Sequence, residues 1–502
     1  MLAWTIFISF LGALALFLLP ARKAPWARVV ALLTTLITFA ITLAAFIQHR
    51  TGEMLTVVHY SWIPSLGISY TLKADGISLT LLLLTGVIGV CGVLFSWNIE
   101  ERIKEFFGFY LLLIGAVFGV FLSYDLFLLF VFYEIVVIPK YFLIAIWGST
   151  RREYAAMKLV LYSFIGSAMV LIGLIAAYVL AGSKSMSLGD LANYPFPAHF
   201  QMWAFPLVFA GFGILAGLWP FHTWAPTGHV AAPTSTSMLL AGVVMKLGAY
   251  GCLRVAMTLF PLGMGSWGFH FLGFGSWRDV FAVLAVIGIL YGALVALVQK
   301  DFKFVIGYSS ISHMGFILLG LMTLNQIGLS GAVVQMVSHG LLAGLLFAVV
   351  GRMVYSRTHT RDLTALGPMH LSKVIPFAAV TFVIAGMASM GLPGFSGFVA
   401  ELMIVIGVWH SYPSLIVFVG IGLVAGVAYI WRAMQQAFFA GSNLEPIQPP
   451  PPLPPITFPE RLGAAILIAA SVVVGTFPQL FLNVIHPALN SPLFQGLRTG
   501  GW

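Results

Sequence analysis

The sequence predicts an all-α polytopic membrane protein with about fourteen transmembrane helices. Apolar runs of about 18 residues or more recur along the chain, and each is long enough to cross a bilayer as an α-helix. The 502 residues are 60% hydrophobic and 8% charged, and their mean hydropathy is +1.02. A soluble core does not need so much apolar length, so the composition excludes a globular protein.

Hydropathy and helix-breaking residues place the helices in order along the chain. The predicted helices cover residues 2–20, 27–48, 77–97, 106–123, 125–147, 155–181, 201–222, 233–259, 278–299, 303–323, 326–354, 373–409, 413–440 and 461–483. The twelfth helix is long because Gly391-Leu-Pro-Gly interrupts it. The segment 49–76 is too polar to span, and its Tyr, Trp and Gly residues predict an interfacial loop.

Charge and cysteine content exclude other classes of protein. The formal net charge is +9, but no basic run has interleaved aromatic residues, so we expect membrane lipids as partners and no nucleic acid. Cys91 and Cys252 are isolated in apolar segments, which argues against a disulfide framework, a zinc site or an iron–sulfur cluster. Residues 1–20 lack a basic leading region, so we expect a retained helix rather than a signal peptide.

Lysine and arginine residues predict the orientation, because they collect in cytoplasmic loops. One side of the predicted topology holds Arg22, Lys23, Arg28, Arg102, Lys104, Arg151, Arg152, Lys300, Lys303, Arg352, Arg357, Arg361, Lys373 and Arg461, and the other holds Arg50, Lys73, Lys184, Arg254, Arg278 and Arg498. We expect the first side to be cytoplasmic. An even number of helices then places both termini in the periplasm, with the chain in a cell inner membrane.

The stretch 213–246 contains a helix that is broken at membrane depth. Pro220 breaks the predicted seventh helix, and a new helix starts at Pro233. Backbone that is freed inside a bilayer must be buried in protein or line a wet cavity, so His222 and His229 at this break indicate a polar path. Capping of the broken helix ends is an alternative role for these histidines.

A second break, at Pro393, lies five predicted helices after the first. A unit with an odd number of helices re-enters the membrane from the opposite face, so the matched breaks predict two inverted five-helix repeats. The predicted order is an N-terminal three-helix segment with a periplasmic loop, two repeats, a Pro-rich linker and a C-terminal helix with its tail, at residues 1–105, 106–260, 277–440, 441–460 and 461–502. We expect the linker to be a plain connector, with binding of a PxxP-recognising partner as the alternative.

Ionisable residues inside the predicted helices are costly in hydrocarbon, so each is a functional candidate. They are the carboxylates Glu134 and Glu401, the bases Lys140, Lys158 and Lys246, and His313, His339 and Arg432. The predicted repeat aligns them in one polar row: Glu134 with His313, Lys158 with His339, and Lys246 with Arg432. Lys140 lies about 240° around the helix from Glu134, so we expect it to snorkel to the cytoplasmic interface near Trp147.

These residue types favour proton transfer. Buried lysine and glutamate can exchange protons, and histidine passes a proton between its two ring nitrogens. The sequence has no paired-histidine haem pattern, no cysteine cluster and no dinucleotide-binding glycine motif. We therefore expect no redox cofactor and no metal on this chain.

Six motifs stand in order along the chain: Asp75-Gly-Ile-Ser-Leu, Tyr133-Glu-Ile-Val-Val-Ile-Pro139, Trp219-Pro-Phe-His-Thr-Trp224, Ala232-Pro-Thr-Ser-Thr-Ser237, Lys300-Asp-Phe-Lys-Phe-Val-Ile-Gly-Tyr-Ser-Ser-Ile-Ser-His-Met-Gly315 and Gly391-Leu-Pro-Gly-Phe-Ser-Gly397. With these motifs the chain resembles the antiporter-like membrane subunits of respiratory complex I (NADH:quinone oxidoreductase), most of all the subunit M (chain 4) group. The resemblance covers roughly residues 60–440. Multisubunit cation/proton antiporters and membrane-bound hydrogenases have related subunits with many of the same motifs.

The resemblance implies a proton-pumping module that works beside homologous antiporter-like subunits and has no NADH, flavin or quinone site of its own. By position in the motifs, the implied proton-transfer residues are Glu134, Lys158, Lys246, His313, His339 and Glu401. One departure concerns the stretch before the first break. The family usually has Lys-x-Pro there, and its lysine pairs with the glutamate of the fifth helix. Here the stretch reads Leu215-Ala-Gly, so Glu134 lacks that partner, and Lys140, Lys158 and Lys246 are the open alternatives.

The sequence therefore predicts a proton-translocating subunit of a complex I-type NADH (or other donor):quinone oxidoreductase, in which quinone reduction elsewhere drives proton transfer. One alternative is a subunit of a multisubunit cation/proton antiporter or a membrane-bound hydrogenase. The other is a structural membrane subunit that does not pump, and the missing lysine at Leu215 motivates it.

Overall fold

The computed structural model describes residues 1–49, 51–265, 273–439 and 453–499. Its main helices are α1 Ala3–Leu18, α2 Ala27–Gln48, α3 Gly76–Phe95, α4 Ile103–Leu122, α5 Leu126–Trp147, α6 Arg152–Leu180, α7 Ala198–Ala216, α8 Trp224–Ala231, α9 Thr234–Leu259, α10 Trp277–Val298, α11 Phe302–Met322, α12 Gln326–Thr358, α13 Pro376–Ser389, α14 Ser396–Ser411, α15 Ile416–Phe438, α16 Phe458–Thr476 and α17 Gln479–Leu489. Within the described ranges, 12 helices are long and apolar enough to cross a membrane, and α1, α13 and α14 are shorter apolar helices. The predicted helical membrane fold is confirmed, while the count of about fourteen crossings, the inverted repeat and the domain boundaries stay predictions.

The described part of the segment 49–76, the expected interfacial loop, contains regular secondary structure. It forms an antiparallel hairpin of β1 Leu55–Ile63 and β2 Ile68–Ala74, with Leu55 opposite Ala74. β-Branched and aromatic residues in this segment favour strands, and hydropathy alone does not detect them. The hairpin covers the start of α5, where Asp125 accepts a hydrogen bond of 2.9 Å from the Ser69 backbone.

The C-terminal helix is shorter than predicted. The expected helix 461–483 is instead α16, which ends at Thr476, and α17, which starts at Gln479, because Pro478 stops the first helix. Residues 441–452 of the predicted Pro-rich linker lie outside the described residues. Its far end is held against α12, where Arg357 donates hydrogen bonds of 2.8 and 2.9 Å to the carbonyls of Pro454 and Pro455.

The first break starts earlier than Pro220. Helix α7 ends at Ala216 because Gly217 adopts a left-handed conformation, with φ of 84°, and the Leu218 N–H closes the end on the Gly213 carbonyl at 2.8 Å. The indole of Trp224 donates to the freed carbonyl of Ile214, also at 2.8 Å. The broken backbone is therefore buried in protein, as a bilayer requires.

The second break follows the predicted pattern. Helix α13 ends at Ser389 and α14 begins at Ser396, with Pro393 between them. Gly391 and Gly394 both have positive φ, of 81° and 95°, so this turn needs residues without a Cβ atom.

Helix α9 lies in the middle of the molecule, and the residues of its most apolar stretch, 18 residues long, are all buried. Two π-helical turns interrupt it, at Leu240–Val244 and Cys252–Ala256, on either side of Lys246. Such turns are rare in helices and occur frequently at functional sites.

Close contact between α9 and α7 depends on Gly248. A Cβ atom there would lie 2.4 Å from the Ala216 nitrogen and 2.5 Å from the Phe212 carbonyl oxygen. We expect Gly248→Ala to destabilise the subunit by about 1–3 kcal/mol, because the helices must move apart. Gly420→Ala in α15 is the matched control, since its Cβ would meet nothing within 4 Å. Thermal unfolding of the detergent-solubilised protein checks this, and equal midpoints for both variants would contradict it.

Candidate functional site

Four of the predicted proton-transfer residues form a continuous chain of contacts that begins at Lys246 in α9. The Nζ atom of Lys246 lies 2.7 Å from Nδ1 of His339 in α12 and also donates to the carbonyl of Ala241. The acceptor carbonyl belongs to the first π-helical turn of α9. The lysine is fully buried, so this local geometry, rather than water, solvates its amino group.

From His339 the chain continues to His313 and Glu401. The two imidazole rings stack with centroids 5.4 Å apart and an interplanar angle of 27°. Nδ1 of His313 lies 3.4 Å from Oε1 of Glu401, the carboxylate of α14 that follows the second break. The chain therefore joins α9, α12, α11 and α14 through groups that can each accept and release a proton.

Two uncharged residues also contact His313, and sequence reasoning missed both. Gln335 Nε2 lies 3.3 Å from its Nδ1, and Ser389 Oγ lies 3.2 Å from its Nε2. A cavity of about 10 Å³ borders His313, Ser389 and Glu401, which is close to the smallest volume that holds one water molecule. Sequence reasoning selects ionisable residues and therefore passes over glutamine and serine. The signal for Gln335 is its position four residues before His339, on the same face of the helix.

The two histidines of the first break are buried in α8 and the turn before it. His222 packs against Tyr291 with ring centroids 5.0 Å apart, and His229 packs against Phe347 at 4.9 Å. Neither caps a helix end, because none of the ring nitrogens of His222 and His229 makes a hydrogen bond to a helix end in the described chain. The capping alternative is therefore wrong.

His229 lies between Lys246 and a cavity. It interacts electrostatically with Lys246 and with Lys303, and neither of its ring nitrogens has a hydrogen-bond partner among the described residues. Lys303 is buried and donates to the carbonyls of Val230 and Ala232, at 3.3 and 2.6 Å, one and three residues after the histidine. These contacts place an imidazole without hydrogen-bond partners among the described residues beside the central lysine.

The cavity beside Lys303 has a volume of about 200 Å³. Its lining includes Ser149, Thr234, Arg352 and Tyr355, which lie at helix ends on the predicted cytoplasmic side. A volume of this size holds several water molecules. The cavity therefore provides a hydrated position next to the helix break.

Glu134 and Lys158 lie apart from the central chain. Oε1 of Glu134 is buried and has no hydrogen-bond partner in the described structure. Nζ of Lys158 is 3.5 Å from Thr227 Oγ1 in α8 and 5.9 Å from the ring centre of Tyr154. Contacts of the described residues do not join these two side chains to Lys246.

Two expectations about the polar row are wrong. Lys140 does not snorkel: it is 1% exposed, and its Nζ donates to Ser163 Oγ in α6 at 3.0 Å. Side chains tilt toward the N-terminus of their own helix, which turns Lys140 away from the predicted cytoplasmic end of α5. Arg432 does not join the row either, because it is partly exposed and donates to the carbonyls of Leu297 and Gln299 at the end of α10.

A buried ion pair that sequence reasoning missed lies near the C-terminal end of α9 and joins it to the start of α3. Nη2 of Arg254 lies 2.6 Å from Oδ1 of Asp75, and the side chains are 3% and 1% exposed. Asp75 also caps α3 by accepting from the Ser78 N–H, and Arg254 Nε lies 3.2 Å from Tyr250 Oη. Lys246, Tyr250 and Arg254 recur every four residues, so they follow one face of α9.

Comparison with protein families identifies the fold and the group of relatives. The family described as NADH:quinone oxidoreductase/Mrp antiporter, TM, matches residues 123–427, which include all six predicted proton-transfer residues. The described residues contain no group of three or more His, Cys, Asp or Glu side chains that could hold a metal ion.

Two curated relatives cover nearly the whole chain. NADH-quinone oxidoreductase subunit M of Rhodobacter capsulatus is 34% identical over 93% of this chain and 90% of its own length. An NAD(P)H-quinone oxidoreductase chain 4 of Synechococcus elongatus is 36% identical over 95% of this chain and 89% of its own. Among solved structures, a chain of respiratory complex I from Thermus thermophilus matches with a TM-score of 0.87 and 26% identity, and the match covers 100% of both chains.

Proposed function

This chain belongs to the NADH:quinone oxidoreductase/Mrp antiporter transmembrane family, and from this membership we propose that it is a proton-translocating subunit of a complex I-type quinone oxidoreductase. It acts as a subunit of the subunit M (chain 4) kind, beside homologous antiporter-like membrane subunits. The redox reaction takes place on other subunits, and this chain converts the free energy of that reaction into proton movement.

The observation that carries the proposal is the buried chain from Lys246 through His339 and His313 to Glu401. A structural helix bundle gains nothing from four adjacent titratable side chains in hydrocarbon, where each of them is costly. Proton transfer explains why these residue types adjoin. The relatives that cover the whole chain are named quinone oxidoreductases, which favours this class over a stand-alone antiporter.

A proton can move along this chain without a large change in structure. Lys246 holds it as an ammonium and donates it to Nδ1 of His339, which leaves a neutral amine. His339 passes it to the adjacent His313 by rotation of a ring or through a bridging water, because stacked rings share no N–H···N hydrogen bond, and Glu401 accepts it as a carboxylate. At every step one group gains the proton that its neighbour loses, so the total charge of the four groups does not change.

Uptake takes place from the cytoplasmic side. The cavity beside Lys303 lies among helix ends that carry most of the basic residues, and basic residues mark cytoplasmic loops. His229 connects this cavity electrostatically to Lys246. With this orientation both termini are periplasmic and the chain lies in a cell inner membrane.

Glu134→Gln tests the proposal against the non-pumping alternative. We expect the substitution to lower the number of protons translocated per quinone reduced, because glutamine keeps the shape of the side chain and cannot exchange a proton. Proton uptake and quinone reduction are measured together in inverted membrane vesicles, and the amount of assembled complex is determined on native gels. Unchanged pumping with full assembly would support a purely structural subunit.

Purification of the native assembly distinguishes the complex I-type subunit from the alternative, a subunit of a cation/proton antiporter or a membrane-bound hydrogenase. We expect the chain to co-purify with quinone-reducing subunits. Cation/proton exchange by an assembly that lacks any redox subunit would identify it as part of an antiporter.

A further inference from the structure

Lys140 is a buried lysine that the central chain of contacts does not use. It lies in α5, seven residues before the helix ends at Trp147, and it is 1% exposed. Its Nζ atom donates to the hydroxyl of Ser163 at 3.0 Å. A hydroxyl balances no charge, so this contact alone does not compensate the burial of an ammonium group.

The direction of the side chain is informative. Lys140 lies about 10 Å along α5 from its cytoplasmic end, whereas Ser163 lies about 16 Å along α6 from the end of α6 on the same side. The contact between them therefore carries Nζ deeper into the membrane, toward the level of Glu134. This agrees with the tilt of helical side chains toward their own N-terminus.

Glu134 is the charged group that acts on Lys140. The two residues interact electrostatically, and none of the ion pairs within 4.0 Å in the described structure includes Lys140. The carboxylate oxygen Oε1 of Glu134 is buried and lacks a hydrogen-bond partner among the described residues. Lys140 and Glu134 thus lie six residues apart on one helix, as a buried lysine and a carboxyl group whose Oε1 has no hydrogen-bond partner in the described structure. More than 4.0 Å separates Nζ from the carboxyl oxygens.

The other two lysines are engaged elsewhere. Lys158 is half buried and contacts Thr227 and Tyr154, and Lys246 contacts Ala241 and His339. Leu215, on the helix that faces this region, is apolar and 2% exposed. Lys140 is therefore the lysine placed to serve Glu134.

We propose that Lys140 is a proton-transfer residue that exchanges a proton with Glu134, and that Ser163 positions its amino group. Because the two groups are more than 4.0 Å apart, a water molecule relays the proton: Glu134 gives its proton to the water and the water gives one to the amine of Lys140. The products are a carboxylate and an ammonium, with no change in total charge. Lys140 then releases this proton toward α6, and Glu134 takes up the next one. The inference rests on the proposed proton-translocating function and adds a residue to it.

Three variants in the intact complex test the inference: Lys140→Gln, Lys140→Met and Lys140→Arg. Arginine keeps the positive charge but cannot release a proton in a protein. We expect all three to lower the protons translocated per quinone reduced to the level of Glu134→Gln, and we expect Glu134→Gln/Lys140→Gln to be no worse than either single variant. Lys104→Gln is the matched control, because Lys104 is only partly buried, donates to the Leu19 carbonyl and should leave pumping unchanged.

The possible outcomes separate the inference from the function on which it rests. The inference is overturned if Glu134→Gln is impaired while Lys140→Gln pumps like the wild type. If Lys140→Gln does not assemble, Lys140→Met takes its place in this comparison. Wild-type pumping in Lys140→Arg overturns the relay, because a fixed charge would then suffice. If Glu134→Gln and Lys246→Met both pump normally, the proposed function itself fails.

Discussion

Replacing Lys246 by methionine is expected to abolish proton translocation by this subunit while quinone-reducing subunits remain bound. The lysine is the first group in the buried chain, and its Nζ makes the 2.7 Å contact with His339. Methionine fills a similar volume, so packing against α12 is kept. Removal of a positioned proton donor typically slows a reaction by about 10²–10⁴-fold. Light-scattering or dye-quenching assays of vesicle acidification, normalised to quinone reduction, measure the effect.

Lys246→Arg separates proton transfer from a need for positive charge. Arginine preserves the charge beside His339 but does not give up a proton at any accessible pH. We expect it to translocate as poorly as Lys246→Met. Normal pumping in the arginine variant would show that the site requires a fixed cation and would contradict the relay through Lys246.

The largest loss of stability is expected for Arg254→Met. The substitution leaves the Asp75 carboxylate buried without the guanidinium that lies 2.6 Å from it, and breaking a buried ion pair costs about 3–5 kcal/mol. The ion pair joins α9 to the start of α3, so its loss also weakens the packing of the central helix. We expect a lower thermal unfolding midpoint for the solubilised subunit and less assembled complex on native gels.

A double-mutant cycle isolates the ion pair. Asp75→Asn keeps a residue that caps α3 but removes the negative charge. In Asp75→Asn/Arg254→Met neither charge remains, so we expect this protein to be more stable than Arg254→Met alone. Destabilisation equal to the sum of the two single effects would show that the charges do not interact.

Sequence reasoning identified the central site because ionisable residues are rare in hydrocarbon. Lys246, His339, His313 and Glu401 were each singled out for that reason, and the fold brings them into contact. Their roles in proton transfer stay predictions. Rarity is a strong signal in a membrane helix, where every buried charge is costly and must have a partner.

The same reasoning failed where direction or local backbone geometry decides the outcome. The burial of Lys140 depends on which way its flexible chain points, and residue spacing does not contain that information. The break before Pro220 begins at Gly217, because a glycine can close a helix in the left-handed conformation before a proline is reached. The hairpin at 55–74 was missed because the criterion was hydropathy and not strand alternation.

The two π-helical turns of α9 give the central helix an adjustable middle. Each holds one residue more per turn than an α-helix, so it is equivalent to a one-residue insertion. The segment Met245–Gly251, which carries Lys246, lies between two such insertions. An insertion that moves along the helix past Lys246 rotates this residue once, by about 100°, while both ends of α9 stay fixed. The lysine can thus swing between neighbours by a local change of winding, and the surrounding bundle need not move.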